Sequence, residues 1–245
     1  MTINSKKIKK QVHIILQGKG GVGKSVVASL LAQFLQEKSN LCCIDTDPIN
    51  PTFSKFKNLK VNHLNLLSAP NKINERIFDQ LIENILSANK NFIIDNGAGG
   101  FLAISNYIIE NDIISVLADF DVFVHIPIVG GQAFKETANG LVSISKQFDE
   151  KTKIVLWINE YFGKLNEDLK EYKFYKAIEN KLLAKIILPE QSIDTFGEDI
   201  KMMFTANKTF NEIAQDESLK FMVKRRLNIF KEQIFVQLEE GKICA

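Results

Sequence analysis

The chain has 245 residues, is 45% hydrophobic and carries a formal net charge of +2 at neutral pH. That length suits one α/β domain with a sizeable core, and the near-neutral charge argues against a strongly electrostatic nucleic-acid binder, local patches aside. Three cysteines, Cys42, Cys43 and Cys244, two of them adjacent, give neither a disulfide framework nor a zinc site, and read as reduced thiols in a cytosolic setting.

The first ten residues are basic, but no long apolar segment or cleavage site follows, so they do not read as a signal peptide. No uncharged apolar run approaches the roughly 20 residues of a membrane span. Val12–Leu16 is an apolar, β-branched run interrupted only by His13, the pattern of a buried strand. A glycine-rich loop follows, and then Val26–Gln36 carries apolar residues at helical spacing. Strand, glycine loop and helix form the context of a phosphate-binding loop. Gly18, Gly23, Lys24 and Ser25 fit G-x-x-x-x-G-K-[ST]. Glycines let the backbone approach a phosphate, their N–H groups form an anion nest, and the helix start adds its dipole. Lys24 would bring a point charge to the β/γ-phosphates, and the Ser25 hydroxyl can ligate Mg²⁺.

Leu41–Asp45 reads as a second buried strand that ends in Asp45-Thr46-Asp47-Pro48, with Pro51 close behind. Two prolines so near each other demand a loop. Carboxylates at the end of a parallel strand lie where open α/β sheets bind ligands, although Asp47 alone could simply make an Asx-turn. Val61–Leu67 is expected to be a third strand and Ile73–Leu86 an amphipathic helix. Asn91–Asp95 is an apolar strand ending in an aspartate, the form of a Walker B element, and Asn96–Gly100 is a glycine-rich loop suited to a switch.

Phe101–Ile109 is expected to be a helix and Val122–Val129 a strand, with Pro127 marking its end or an edge. His125, alone in an apolar run, reads as a satisfied core histidine. Gly130-Gly131 turns the chain into a helix from Gln132 to about Phe148. Lys153–Ile158 is the next strand, ending at Asn159, and Ala184–Leu188 the last, followed by Pro189. Tyr161–Lys181 reads as a loop plus a helix, with Trp157 filling core. Short helices are expected near 192–203 and 208–215. From Leu219 to Glu239 an apolar stripe at 219, 223, 227, 230, 234 and 238 predicts a C-terminal helix. Lys220, Lys224, Arg225 and Arg226 at its start admit a membrane-surface reading. Glu232, Glu239 and Glu240 favour docking on the domain or on a second subunit.

The run Lys19-Gly-Gly-Val-Gly-Lys24-Ser25, with its early lysine, resembles the deviant Walker A signature of the ParA/MinD family of dimerising ATPases. With Cys43-Ile-Asp-Thr-Asp-Pro48, Ile94-Asp-Asn-Gly-Ala98 and Val129-Gly-Gly-Gln-Ala133, the chain is similar to the TraL proteins of conjugative plasmid transfer over roughly residues 10–215. The loop after Asp95 lacks the prolines usual in partition ATPases. The resemblance implies a doubly wound, mostly parallel sheet in a single domain over 1–245, with a C-terminal helix at about 219–240. It implies a Mg²⁺-dependent ATPase whose nucleotide contacts are Gly18, Lys19, Gly20, Gly21, Val22, Gly23, Lys24, Ser25 and Val26, with Asn159 and Pro189 at the base. Lys19 would reach a partner's nucleotide and Asp47 would orient the attacking water, making Lys19, Lys24 and Asp47 the catalytic set. Ser25 would ligate Mg²⁺, with Asp45 and Asp95 acting through water. The implied partners are a second copy of the chain, bound with ATP, and conjugation or DNA-processing proteins. Direct DNA contact stays open. The implied place is the cytoplasm, with a peripheral site at the inner membrane as the alternative.

Other functions compete. A partition ATPase shares the same motifs. A small-molecule enzyme of the dethiobiotin synthetase type typically lacks the early lysine. An iron–sulfur ATPase needs cluster cysteines in switch-side loops, where this chain has none. A structural subunit that holds nucleotide with little turnover would differ only in its hydrolysis rate.

Overall fold

The computed structural model describes residues 9–69, 72–148, 152–165 and 169–243. The elements run β1 (Lys10–Ile15), α1 (Lys24–Leu35), β2 (Leu41–Asp45), β3 (Asn62–His63), β4 (Leu67–Ala69), β5 (Lys72–Ile73), α2 (Glu75–Ser87), β6 (Asn91–Asp95), α3 (Phe101–Glu110), α4 (Ile113–Val116), β7 (Phe120–Val129), α5 (Phe134–Gln147), β8 (Lys153–Asn159), α6 (Lys173–Ile178), β9 (Leu182–Leu188), α7 (Glu198–Thr205), α8 (Phe210–Gln215) and α9 (Phe221–Glu240). Cys244 and most of the basic N-terminal segment fall outside the described residues.

Seven strands form one sheet in the order β3-β2-β6-β1-β7-β8-β9, and every pairing in it is parallel. β4 and β5 make a separate antiparallel pair. The chain starts at the centre, builds outward through β2 and β3, returns to β6, and then crosses to β7 on the other side of β1. The order therefore reverses at β1, and ligands of such sheets bind at the carboxyl ends beside that reversal.

Side chains alternate between two buried faces, as a parallel sheet covered on both sides requires. Ile15, Phe123, Trp157 and Ile186 pack with α1 and α9 on one face. Ile14, Ile94, Val124 and Leu156 pack with α2, α3, α5 and α6 on the other. The apolar stripe of α9 is spent on the first face: Leu227, Phe230, Ile234 and Leu238 are all buried there. Each such burial stabilises by about 1.5–3 kcal/mol, which is why this helix docks on the chain's own sheet.

Three details separate the structure from the pattern. The strand expected at Val61–Leu67 shrinks to Asn62–His63. Its partner β2 stops at Asp45, so beyond Leu64, whose N–H reaches Asp45 O, no ladder is left to join. Pro127 lies inside β7, with β8 paired along one side. On the other side β1 has already ended. The Pro127 carbonyl accepts from Gln17 Nε2, so the missing proline N–H faces a gap in the ladder. The helix expected from Gln132 begins at Phe134, after a 3₁₀ turn over Gly131–Ala133.

His125 is fully buried and satisfied, as its apolar setting suggests. Trp157 Nε1 can only donate, and it reaches His125 Nδ1 at 2.9 Å. The proton of His125 is thereby placed on Nε2, which lies 3.0 Å from His13 Nδ1. His13 Nε2 in turn faces Gln11 Oε1 at 3.3 Å, and its ring stacks on Phe123 at 4.7 Å. Both imidazoles are held neutral. Burial lowers the His125 pKa to about 3, and burial, then His125 and Lys153, push that of His13 well below the usual value.

Candidate functional site

Four loops converge at the carboxyl ends of the central strands. The first follows β1. Gln17, buried at its base, donates to the carbonyls of Pro127 and Thr137 at 2.9 and 3.1 Å, and so ties the loop to β7 and α5. Sequence reading missed this residue, whose partners lie more than a hundred positions away. The loop turns through left-handed backbone at Gly21 (φ 76°) and Gly23 (φ 98°), and α1 begins at Lys24 with its free N–H groups facing the loop. Lys24 is buried, with Nζ donating to Lys19 O at 3.0 Å. Burial lowers its pKa, and the charges of Asp95 and Asp47 act in the opposite sense.

Asp95 closes β6 beside it. The Ser25 hydroxyl bonds to Asp95, but Asp95 Oδ1 is buried with no hydrogen-bond partner. Burial raises the Asp95 pKa to about 7, with Asp45 and Asp47 adding to the rise and the Ser25 bond and Lys24 opposing it. A buried carboxylate oxygen without a donor is costly unless a cation or a water occupies the space before it. No group of three His, Cys, Asp or Glu side chains among the described residues could hold a metal alone. A cation here would lean on the Ser25 hydroxyl and on oxygens brought by a ligand, with Asp95 one water away.

The second loop follows β2. Asp45 is fully buried, and both its oxygens take backbone donors from the loop it begins: Asp47 N at 3.0 Å and Ser54 N at 2.9 Å. Asp47 Oδ1 accepts from Ile49 N and Asn50 N, both at 2.9 Å, which is the Asx-turn geometry. Its carboxylate also lies against the loop after β6. A Cβ built on Gly97 would stand 2.5 Å from Asp47 Cγ, so only glycine fits there. Thr46 Oγ1 donates to Asp95 O and Asn96 Oδ1, each at 3.1 Å. The two loops therefore move as one body or break these bonds. His63 Nε2 lies 3.1 Å from Asp47 O, a further tether absent from the sequence reading.

Lys19 points toward α5, where its Nζ meets Glu136 Oε2 at 2.9 Å. Both side chains are substantially exposed, so the pair is worth at most about 1 kcal/mol and exchanges readily. Asn159, at the end of β8, donates from Nδ2 to Val22 O at 3.1 Å and accepts Tyr161 N at Oδ1, also 3.1 Å. Next to the glycine loop a cavity of about 580 Å³ opens, lined by Gly21, Gly23, Val26, Asn159 and Pro189 among others. The structure thus gathers Gly18–Val26, Asp45, Asp47, Asp95, Asn159 and Pro189 at one end of the sheet. Gly130-Gly131 gains a structural reason there. The backbone of residues 162–164 crosses that turn, and a Cβ on Gly130 would fall 2.1 Å from Gly163 O.

Residues 13–225 match the CobQ/CobB/MinD/ParA nucleotide binding domain. The protein TraL of Escherichia coli is 39% identical over 239 residues, 95% of this chain and 99% of that protein. Among solved structures, the MinD cell division protein of Aquifex aeolicus aligns with a TM-score of 0.52 and 14% identity, over 92% of this chain and 97% of that one. The septum site-determining protein MinD from Pyrococcus horikoshii OT3, complexed with Mg-ADP, aligns with a TM-score of 0.50 and 16% identity, over 90% of this chain and 96% of that one. Fold, phosphate loop and similarity agree: the chain belongs to the MinD/ParA nucleotide-binding family and groups within it with the TraL proteins.

Proposed function

We propose that this protein is a Mg²⁺-dependent ATPase that works as a dimerisation switch in plasmid conjugative transfer, in the cytoplasm. The observation that carries the reading is that one site holds both the buried Lys24, whose ammonium bonds to Lys19 O, and the buried Asp95, whose Oδ1 has no partner. One group wants anionic oxygens and the other wants a cation or its water, and a magnesium nucleotide brings both. The loop amides and Lys24 would hold the phosphates. Ser25 would hold Mg²⁺, with Asp95 and Asp45 behind its waters. When bound, Mg²⁺ would neutralise charge that builds on the phosphate oxygens.

Asp47 would orient the attacking water with the oxygen that the Asx-turn leaves over, while Oδ1 keeps the loop in shape. The coupled loops after β2 and β6 would sense the γ-phosphate. The weak Lys19–Glu136 pair would open for Lys19 to reach the nucleotide of a second subunit. Other conjugation proteins would be the partners that a nucleotide-dependent dimer recruits. Titration with ATP and Mg²⁺ tests the foundation. Lys24→Ala should abolish binding because a charge near several phosphate oxygens is lost from a buried site. Unchanged affinity would remove the phosphate-loop assignment.

A further inference from the structure

The cavity beside the glycine loop carries large apolar side chains that are open to solvent. Tyr161 and Ile193 both line it, and they are 67% and 80% exposed. Ile193 opens a π-helical turn over Ile193–Gly197, a backbone form that concentrates at functional sites. Large apolar side chains left so open beside a ligand pocket ask for a ligand surface to cover them. Resting on the reading above, we propose that Tyr161 and Ile193 are the two jaws of a clamp on the nucleotide's base, with Asn159 a positioning residue that sets the Tyr161 jaw.

Three observations support this. The cavity is continuous with the phosphate loop at Gly21, Gly23 and Val26, so a nucleotide anchored by its phosphates extends its base between these residues. The Asn159 amide is engaged at both ends within the chain, by Val22 O and by Tyr161 N, which fits a part that places the loop better than one that reads the base alone. The two segments that carry the jaws are also tied to each other. Glu160 Oε2 accepts from Glu190 N at 3.2 Å, which staples the loop of Tyr161 to the segment leading to Ile193. Beneath, the Gly130-Gly131 turn carries the crossing backbone of residues 162–164. A tethered loop that presents an aromatic face binds a base at a lower cost in ordering entropy. Stacking tolerates any base, so Tyr161 contributes affinity and little discrimination.

The test compares ATP, GTP and inorganic tripolyphosphate, each with Mg²⁺, as competitors of a ribose-labelled fluorescent ATP. Tyr161→Ala should weaken ATP and GTP each by about tenfold and leave tripolyphosphate unchanged, because stacking is lost and the phosphate cradle is not. Tyr161→Phe should bind ATP as the parent does. Parental ATP affinity in Tyr161→Ala overturns the clamp, and so does an equal loss of tripolyphosphate, which would place Tyr161 in support of the phosphate loop. A parent chain that binds neither ATP nor tripolyphosphate would instead remove the nucleotide reading on which the clamp rests.

Discussion

Asp95→Asn should make the ligand-free protein more stable while weakening its use of magnesium nucleotide. Asp95 is buried, its Oδ1 has no partner, and burial lifts its pKa from 3.8 to about 7. A raised carboxylate pKa means that the folded state resists ionisation. Its stabilising contribution is complete below pH 4 and is lost as pH climbs toward 7. The loss amounts to about 2 kcal/mol at pH 5 and about 4 kcal/mol at pH 8. Asparagine keeps the shape and drops the charge. Its amide must still find partners in a buried site, so a net gain of about 1–2 kcal/mol at pH 8 is the expectation, or about 2–8 °C in Tm for a chain of this size. The gain should shrink at pH 5. Calorimetry at both pH values, with and without Mg²⁺ and ATP, reads it out. The parent should gain more from the ligand than the variant, because only the parent has a charge to relieve. A stability gap that ignores pH, or a variant that gains as much from Mg²⁺ and ATP as the parent, would refute the reasoning.

Asp47→Ala should still bind ATP but hydrolyse it at least a hundredfold more slowly, since the lost interaction belongs to the transition state. Single-turnover hydrolysis beside a binding titration checks this, and parallel losses in both would make Asp47 a purely structural loop former. The buried histidine pair should make stability fall on the acid side. The folded pKa of His125 lies far below the unfolded 6.5, so its contribution is whole above pH 6.5 and is lost as pH drops. At pH 5 His125 alone removes about 2 kcal/mol. Urea unfolding of Asp95→Asn at pH 7.5 and 5, where the opposing carboxylate is gone, should show the midpoint dropping with acid. An unmoved midpoint would mean that the histidines are not held neutral.

Much of this site could be read from the residues alone, and the reason is local. β2 and β6 run from Leu41 to Asp45 and from Asn91 to Asp95, as their apolar runs and closing carboxylates suggest, because a strand buried on both faces has no polar position to blur its ends. The α9 stripe likewise announced a docked helix. What the chain hides is set by partners far apart in it. Nothing around Lys19 points to Glu136, nothing around Gln17 points to Pro127, and nothing around Gly130 reveals the backbone that crosses it. The shortness of β3 follows from where β2 ends, and the tolerance of Pro127 from where β1 ends. Asn159 is the instructive case. Its place at a strand end was legible, but the bonds that occupy its amide, to Val22 and Tyr161, required the folded loops.

In the proposed switch, ATP closes two subunits over their nucleotides with Lys19 reaching across. Sedimentation velocity on Asp47→Ala, with Mg²⁺ and either ATP or ADP, tests it most directly, beside the double variant Lys19→Ala, Asp47→Ala. Asp47→Ala should sediment as a dimer with ATP and as a monomer or weak dimer with ADP, because the γ-phosphate adds contacts in one state only. The double variant should bind ATP and stay monomeric. A dimer that forms equally with ADP, or one that survives the loss of Lys19, would contradict the switch.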